Sequence, residues 1–272
     1  MKFTLSVVLS ALSAGALAAP APAPSATATA AAGSPKLLIC SDSTTCNYAA
    51  SRGLQGWGFH IPAYLSIPVL NLALGGRSTR SFIAEGRWDE LLDKTAAGDF
   101  VLIEMGHNDD TDPTKGGHFG DRGTLPGLGE ETKVVTNAAG TAKVTVHTFG
   151  WYLRTMIADV RKKNAIPIIS GMVPRDKWSG NTAVTTYNFT ETARQVAAAE
   201  KVQFVDHTKF SVAALQKLGP TASKKLFPND NTHTNDAGAI VNAETFVQGA
   251  VCAKNTLAEL LSPKGKAIKA TC

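Results

Sequence analysis

Lys36-Leu37-Leu38-Ile39-Cys40-Ser41-Asp42-Ser43-Thr44-Thr45 is a short apolar run that stops abruptly in small polar residues, with a serine just beyond the stop. This is the pattern of a buried strand that delivers a nucleophile to the rim of a parallel sheet. Taken alone, it equally describes a strand followed by a turn former or a helix N-cap. The standing of Ser43 therefore depends on what the rest of the chain brings near it.

The strand-then-stop pattern recurs downstream. Residues 47–65 carry mixed apolar residues and predict a helix, weakened by Gly56 and Gly58. Residues 67–74 read as a second strand ended by Gly75-Gly76-Arg77-Ser78, and 80–92 as an amphipathic helix. Phe100-Val101-Leu102-Ile103-Glu104-Met105 is a third strand, nearly all apolar as expected when both faces are covered, and it stops at Gly106-His107-Asn108-Asp109. Residues 110–146 then break the rhythm: they are rich in Gly, Asp and Thr and contain a hairpin pattern around Asn137-Ala138-Ala139-Gly140. A long insertion directly after a strand end marks a candidate functional segment. The rhythm resumes with a helix over 149–164, a strand over 166–170, a helix over 187–200, a strand over 203–206 and a final helix over 236–252.

Strand followed by helix, five times over, predicts an α/β fold, a three-layer α/β/α sandwich on a central five-stranded parallel sheet. Ligands bind such sheets at the carboxyl ends of the strands. The polar or Gly-rich ends at Ser43, Gly76 and Asn108 should therefore converge.

The ends of the chain bear on compartment. Lys2, the apolar run from Phe3 to Leu17 and the small residues Ala16-Leu17-Ala18 read as a secretory signal peptide over residues 1–19. A Pro/Ala/Thr-rich flexible leader follows over 20–35, and one globular domain over 36–272. Losing the leader removes Lys2 and takes the formal charge from +5 to +4. No other apolar run is long enough for a membrane span. The basic residues are scattered, without the aromatic-interleaved stripe of a nucleic-acid binder, so neither membrane nor nucleic acid is an expected partner. A monomer is expected. Four cysteines in a secreted chain suggest disulfides: Cys252 and Cys272 would close a loop around the C-terminal tail, Cys40 and Cys46 bracket Ser43, and three pairings are open. No C-x-x-C pair exists and the histidines are dispersed, so no metal and no cofactor are expected. Asn188-Phe189-Thr190 is an acceptor sequon, which places Asn188 at the surface if it is glycosylated.

Acyl transfer from an ester needs an activated hydroxyl, a base oriented by an acid, and donors aimed at the developing oxyanion. Asp230 and His233 stand three apart in Phe227-Pro228-Asn229-Asp230-Asn231-Thr232-His233-Thr234-Asn235, close enough for the carboxylate to hold Nδ1–H and leave Nε2 for a serine. The competing reading is that His233 only flanks a helix capped by Thr234 or Asn235. Gly75-Gly76 exposes backbone N–H groups and Asn108 offers an amide, though turn and loop-cap roles account for each separately. His107 and Asp109 read as groups that orient this loop. Trp178, in a polar loop after a strand, is the best tryptophan for substrate contact. The G-x-S-x-G elbow is absent at Ser43, which disfavours the α/β-hydrolase fold.

Together, Ser41-Asp42-Ser43, Gly75-Gly76-Arg77-Ser78, Gly106-His107-Asn108-Asp109 and Asp230-x-x-His233 resemble, in order, the four blocks of the SGNH (GDSL-type) hydrolases. Gly75-Gly76-Arg77-Ser78-Thr79-Arg80-Ser81-Phe82, Glu85-Gly86-Arg87-Trp88, Ile103-Glu104-Met105-Gly106-His107-Asn108-Asp109 and Thr232-His233-Thr234 look like fungal rhamnogalacturonan acetylesterases. The resemblance covers essentially Lys36 to Cys272 and implies a flavodoxin-like SGNH hydrolase fold and a metal-free serine esterase. Ser43 would be the nucleophile, His233 the base and Asp230 its orienter. The Ser43 and Gly76 amides and the Asn108 side chain would form the oxyanion hole. It also implies a Cys252–Cys272 bridge, with Cys40 and Cys46 either paired with each other, the slightly favoured reading, or left as thiols. The family usually has glycine where this chain has Ser41; if that position needed positive φ, serine would cost on the order of 1 kcal/mol.

The expected function is secreted deacetylation of an acetylated plant cell-wall polysaccharide, rhamnogalacturonan first, with acetylated xylan or another carbohydrate next. A lipase is disfavoured by the polarity of the insertion, and a non-catalytic carbohydrate binder by the presence of every triad member.

Overall fold

In the structure, a computed structural model, residues 33–272 are described except 116 and 118. The signal peptide and nearly all of the leader lie outside the described residues.

Strands β1 (Leu37–Ser41), β2 (Val69–Asn71), β3 (Phe100–Glu104), β6 (Ile166–Ser170) and β9 (Gln203–Val205) form a five-stranded sheet in the order β2-β1-β3-β6-β9, every pair parallel. The insertion carries the antiparallel pair β4 (Thr132–Thr136) and β5 (Lys143–His147). A two-residue ladder, β7 (Trp178–Ser179) with β8 (Thr182–Ala183), follows β6. The helices are α1 (Thr79–Ala84), α2 (Arg87–Asp93), α3 (Phe149–Lys162), α4 (Asn188–Glu200), α5 (His207–Lys224), α6 (Asp236–Cys252) and α7 (Pro263–Lys266).

Side chains alternate across a strand, and β1 shows what that does here. Leu38 and Cys40 point into one core with Val101, Ile103, Trp88 and the α3 residues Leu153 and Met156. Leu37 and Ile39 point into a second core with Trp57, Ile61 and the α6 residues Phe246 and Val247. Both faces are thus covered, and the three-layer architecture expected from the sequence is observed.

Two local expectations are corrected. Residues 47–65 form not a helix but three short 3-10 turns, Ala50–Arg52, Trp57–Phe59 and Ile61–Tyr64. The chain there lies so close to Thr45 and Cys46 that a Cβ on Gly56 or Gly58 would sit 2.3–2.5 Å from their backbone atoms. The 80–92 helix is two helices, parted at Gly86 with φ 73°. Helix α5 occupies a stretch to which no element is assigned from the sequence, and Asp206 caps it by accepting from the Lys209 amide at 3.1 Å. Its regular turns are interrupted at Gly219, before Pro220.

One buried polar cluster joins the layers. Glu104 accepts from Trp57 Nε1 at 3.0 Å and Ser170 Oγ at 2.7 Å, and lies 2.8 Å from His207 Nδ1. His207 Nε2 donates to the Asn242 carbonyl at 2.8 Å. The Glu104 and His207 side chains are 1% and 0% exposed, so their polar atoms have only one another and these neighbours to satisfy them. Removing one partner of such a pair leaves the rest unsatisfied. Glu104→Ala is expected to lower the unfolding free energy by about 3–5 kcal/mol, measured by denaturant titration against the parent.

Candidate active site

The sheet order places a switch point between β1 and β3, where successive connections leave in opposite directions and open a crevice at the strand ends. Ser43 lies just past β1, in a turn closed by the Thr45 amide donating to the Asp42 carbonyl at 3.1 Å. Asp42 Oδ1 accepts from the Thr44 amide and hydroxyl, both at 2.9 Å, and Tyr48 Oη donates to the Ser43 carbonyl at 2.9 Å. The turn is held on three sides and Ser43 is left half-buried at its tip.

The stretch 230–235 arrives from the far end of the chain. The Thr234 hydroxyl donates to the Gln55 carbonyl at 2.9 Å, the Asp176 amide to the Asn231 carbonyl at 2.7 Å, and Arg175 Nη1 to Thr232 Oγ1. Thus held, His233 Nε2 stands 2.9 Å from Ser43 Oγ and Nδ1 stands 2.7 Å from Asp230 Oδ2. Asp230 Oδ1 accepts from the amides of Thr232 at 2.6 Å and His233 at 2.8 Å. Burial pushes the Asp230 carboxyl up, but the His233 ring and these amides outweigh it and hold the pKa at about 2. An ionised Asp230 only accepts, so Nδ1 carries the proton and Nε2 is free to accept from Ser43. Of the two caps considered from the sequence, Asn235 is the one observed: it caps α6 by accepting from the Gly238 amide at 3.0 Å.

Ser43, Gly76, Asn108, Arg122, Arg175 and His233 line a cleft of about 280 Å³. Among the described residues, neither the Ser43 nor the Gly76 amide is hydrogen-bonded within the protein. Gly76 adopts φ 76°, a conformation that favours glycine. Asn108 gives one amide hydrogen to the Arg77 carbonyl at 3.0 Å and has a second to offer. A larger groove of about 470 Å³ lies at the start of α4 and α5, but none of these six residues lines it. The larger groove is polar too, but the smaller cleft is the one that sets the Ser43–His233 contact beside amide donors, which is what a reacting centre requires.

The other sequence candidates resolve as follows. His107 is buried against the cleft. Asp109 Oδ1 accepts from the Thr79 amide at 3.1 Å and hydroxyl at 2.5 Å, and burial pushes its carboxyl up to about 7. Trp178 does not line the Ser43 cleft; its Nε1 donates to Asp176 Oδ1 at 2.7 Å. Asn188 is exposed in the first turn of α4. Cys252 and Cys272 are joined by a disulfide. Cys40 and Cys46 are not paired: Cys40 faces the core under β1, while Cys46 Sγ donates to the Ala73 carbonyl at 3.2 Å. Burial pushes the Cys46 thiol up to about 12, which keeps it protonated and unreactive. Ser41 has no positive φ and so carries none of the strain considered from the sequence. Its hydroxyl instead donates to the Glu104 carbonyl at 2.7 Å and lies 2.7 Å from Thr45 Oγ1. Sequence reasoning missed Arg122 and Arg175, which sit in segments without a recognisable pattern.

Residues 42–239 match the GDSL-like Lipase/Acylhydrolase family. The chain belongs to that family. It is 35% identical over 231 residues to a rhamnogalacturonan acetylesterase of Emericella nidulans, covering 83% of this chain and 89% of the relative. It is 28% identical over 221 residues to a probable rhamnogalacturonan acetylesterase, YesY, of Bacillus subtilis, covering 78% and 91%. Among solved structures, the fold is similar to that of Axe2, an acetylxylan esterase from Geobacillus stearothermophilus, with TM-score 0.53, 18% identity and coverage of 79% and 94%. Among the described residues, no helix is long and apolar enough to cross a membrane. Ser41→Gly, which restores the residue usual in the family, is expected to remove two hydrogen bonds and lower stability by about 1–2 kcal/mol. Thermal or denaturant unfolding measures the loss, and an unchanged midpoint would contradict it.

Proposed function

We propose that this protein is a secreted serine esterase that removes acetyl groups from plant cell-wall polysaccharide, with rhamnogalacturonan as its substrate. The observation that carries the proposal is the continuous chain Ser43 Oγ, His233 Nε2, His233 Nδ1, Asp230 Oδ2, with contacts of 2.9 and 2.7 Å, at the edge of a cleft that holds unengaged amide donors. Ser43 attacks the acetyl carbonyl as His233 takes the hydroxyl proton. The negative charge moves to the carbonyl oxygen, where the amides of Ser43 and Gly76 and the Asn108 side chain receive it. Collapse breaks the bond to the sugar oxygen, which leaves with the proton from His233. Water, activated by the same histidine, then attacks the acetyl-serine and releases acetate. Asp230 stays ionised throughout and holds the imidazole orientation.

The substrate class draws on the rhamnogalacturonan acetylesterase relatives and on charge. Arg122 and Arg175 both line the cleft, and among its described lining residues there is no carboxylate. Such a lining attracts a uronate-bearing polymer more than neutral xylan. Secretion draws on the N-terminal leader pattern.

Acetate release from acetylated rhamnogalacturonan, with acetylated xylan in parallel, tests the reading. The parent is expected to favour the former and Ser43→Ala to lose activity by a factor of about 10³ or more; equal rates for parent and variant would sink the nucleophile assignment. Because Asp230 titrates near 2, it is expected to add no step of its own to the acid limb of the pH–rate profile above about pH 3.

A further inference from the structure

The insertion between β3 and α3 returns one side chain to the cleft. Arg122 is buried, and its Nη1 donates to Asn108 Oδ1 at 2.9 Å and to the Gly76 carbonyl at 3.2 Å. One nitrogen therefore holds an oxygen of each of the two residues, Asn108 and Gly76, that supply the proposed oxyanion donors outside the Ser43 turn. The Phe119 ring covers the guanidinium, with its centroid 4.4 Å from Cζ.

The chemistry of the amide makes this contact consequential. Asn108 can present either its oxygen or its NH₂ to the cleft, and the two orientations have nearly the same shape. A guanidinium has donors only, so beside Arg122 the amide must turn Oδ1 toward it. That leaves Nδ2 with one hydrogen on the Arg77 carbonyl at 3.0 Å and one for the cleft. With the amide reversed, an acceptor would face a developing oxyanion and repel it. At Gly76 the same nitrogen holds the carbonyl of a residue at φ 76°, and an added Cβ there would lie 3.1 Å from it.

The anchorage of the insertion suits this role. Arg80 of α1, itself 5% exposed, donates from Nη1 to the carbonyls of Gly120 and Gly123, both at 3.0 Å. The Thr124 amide donates to the Asp109 carbonyl at 3.1 Å. The residues on either side of Arg122 are thereby tied to the helix after Gly76 and to the loop that carries Asn108.

We propose that Arg122 is a positioning residue of the oxyanion hole, supplied by the insertion, which fixes the Asn108 amide and the Gly76 turn in the orientation that receives the oxyanion. The inference rests on the esterase reading and assigns the 110–146 segment a part in the acyl-transfer step.

The test is a double-substitution cycle on a small neutral acetyl ester, p-nitrophenyl acetate, which removes any contribution from binding a charged polymer. Arg122→Met is expected to lower kcat by a factor of about 10–100 with KM within about twofold, since one lost oxyanion donor costs 10²–10³. In the Asn108→Ala background, the same change is expected to cost less than about threefold, because the group it orients is gone. Arg122→Lys keeps the cation without the fork and should recover only part of kcat; it replaces Arg122→Met in the cycle if thermal unfolding shows that variant not to fold. Unchanged kcat, or the same fold-loss in both backgrounds, overturns the inference. A loss seen only as raised KM for acetylated rhamnogalacturonan would make Arg122 a substrate contact instead and overturn it likewise. Parent turnover that persists in Ser43→Ala would strike at the esterase reading itself. Ser43-dependent turnover indifferent to Arg122 strikes only at this inference.

Discussion

The register of β1 against β3 is the constraint on which the reacting end of the molecule depends. Leu37 pairs with Phe100 and Ser41 with Glu104, so the two strands end side by side and the chain beyond each enters the same crevice. Ser43 and Asn108 come from these two ends. A slip of one residue would turn Leu37 and Ile39 from one core to the other and move the Ser43 turn away from the loop that carries Asn108. Register is therefore held twice, by apolar burial on both faces and by the Ser41 hydroxyl donating across to the Glu104 carbonyl.

Burying both faces of a parallel sheet imposes a second condition. Polar groups near the strand ends have no water to turn to, so each must find a partner inside the protein. Glu104 meets that demand by linking Trp57, Ser170 and His207, which belong to elements far apart in sequence. The cluster lies directly behind the end of β3. A crevice whose floor is cross-linked in this way keeps Ser43, Gly76 and Asn108 at fixed separations, and fixed separation is what lets amide dipoles stabilise charge without first reorganising.

The long insertion follows the same logic. Its Gly, Asp and Thr content gives it little apolar surface of its own to bury, and polar contacts fasten it to the rest of the fold: Arg80 to the Gly120 and Gly123 carbonyls, Thr124 to the Asp109 carbonyl, and Arg154 Nη2 of α3 to the Gly129 carbonyl at 3.2 Å. A segment held by such bonds can bring a guanidinium to the cleft at modest cost in core packing. Arg175, which lines the same cleft, ties Thr232 of the 230–233 stretch to the His107 carbonyl at 3.3 Å. The two arginines frame the cleft from segments that carry no regular core pattern.

The sequence by itself determined the layers and singled out the candidate site residues. The nearly continuous apolar runs at 37–40 and 100–103 required a sheet covered on both faces, and the abrupt polar stops at Ser43, Gly76 and Asn108 marked ends that converge on one cleft. Asp230-x-x-His233 was legible because three residues span one turn, a distance that local geometry fixes. Tertiary structure alone decided the rest. The 47–65 stretch reads as a helix locally, yet it lies against Thr45 and Cys46 so closely that only glycine fits at 56 and 58. Cys40 and Cys46 are near in sequence, yet one is turned into the core by strand alternation and the other toward Ala73. Ser41 looked costly until its partner, Glu104, 63 positions away, was in view. Arg122 and Arg175 left no mark because a guanidinium takes its meaning from the acceptors around it, and those acceptors, the Asn108 amide and the Gly76 and His107 carbonyls, are assembled only by the fold. Periodicity records which face a residue turns to the core; it holds no record of which distant backbone oxygen will stand opposite.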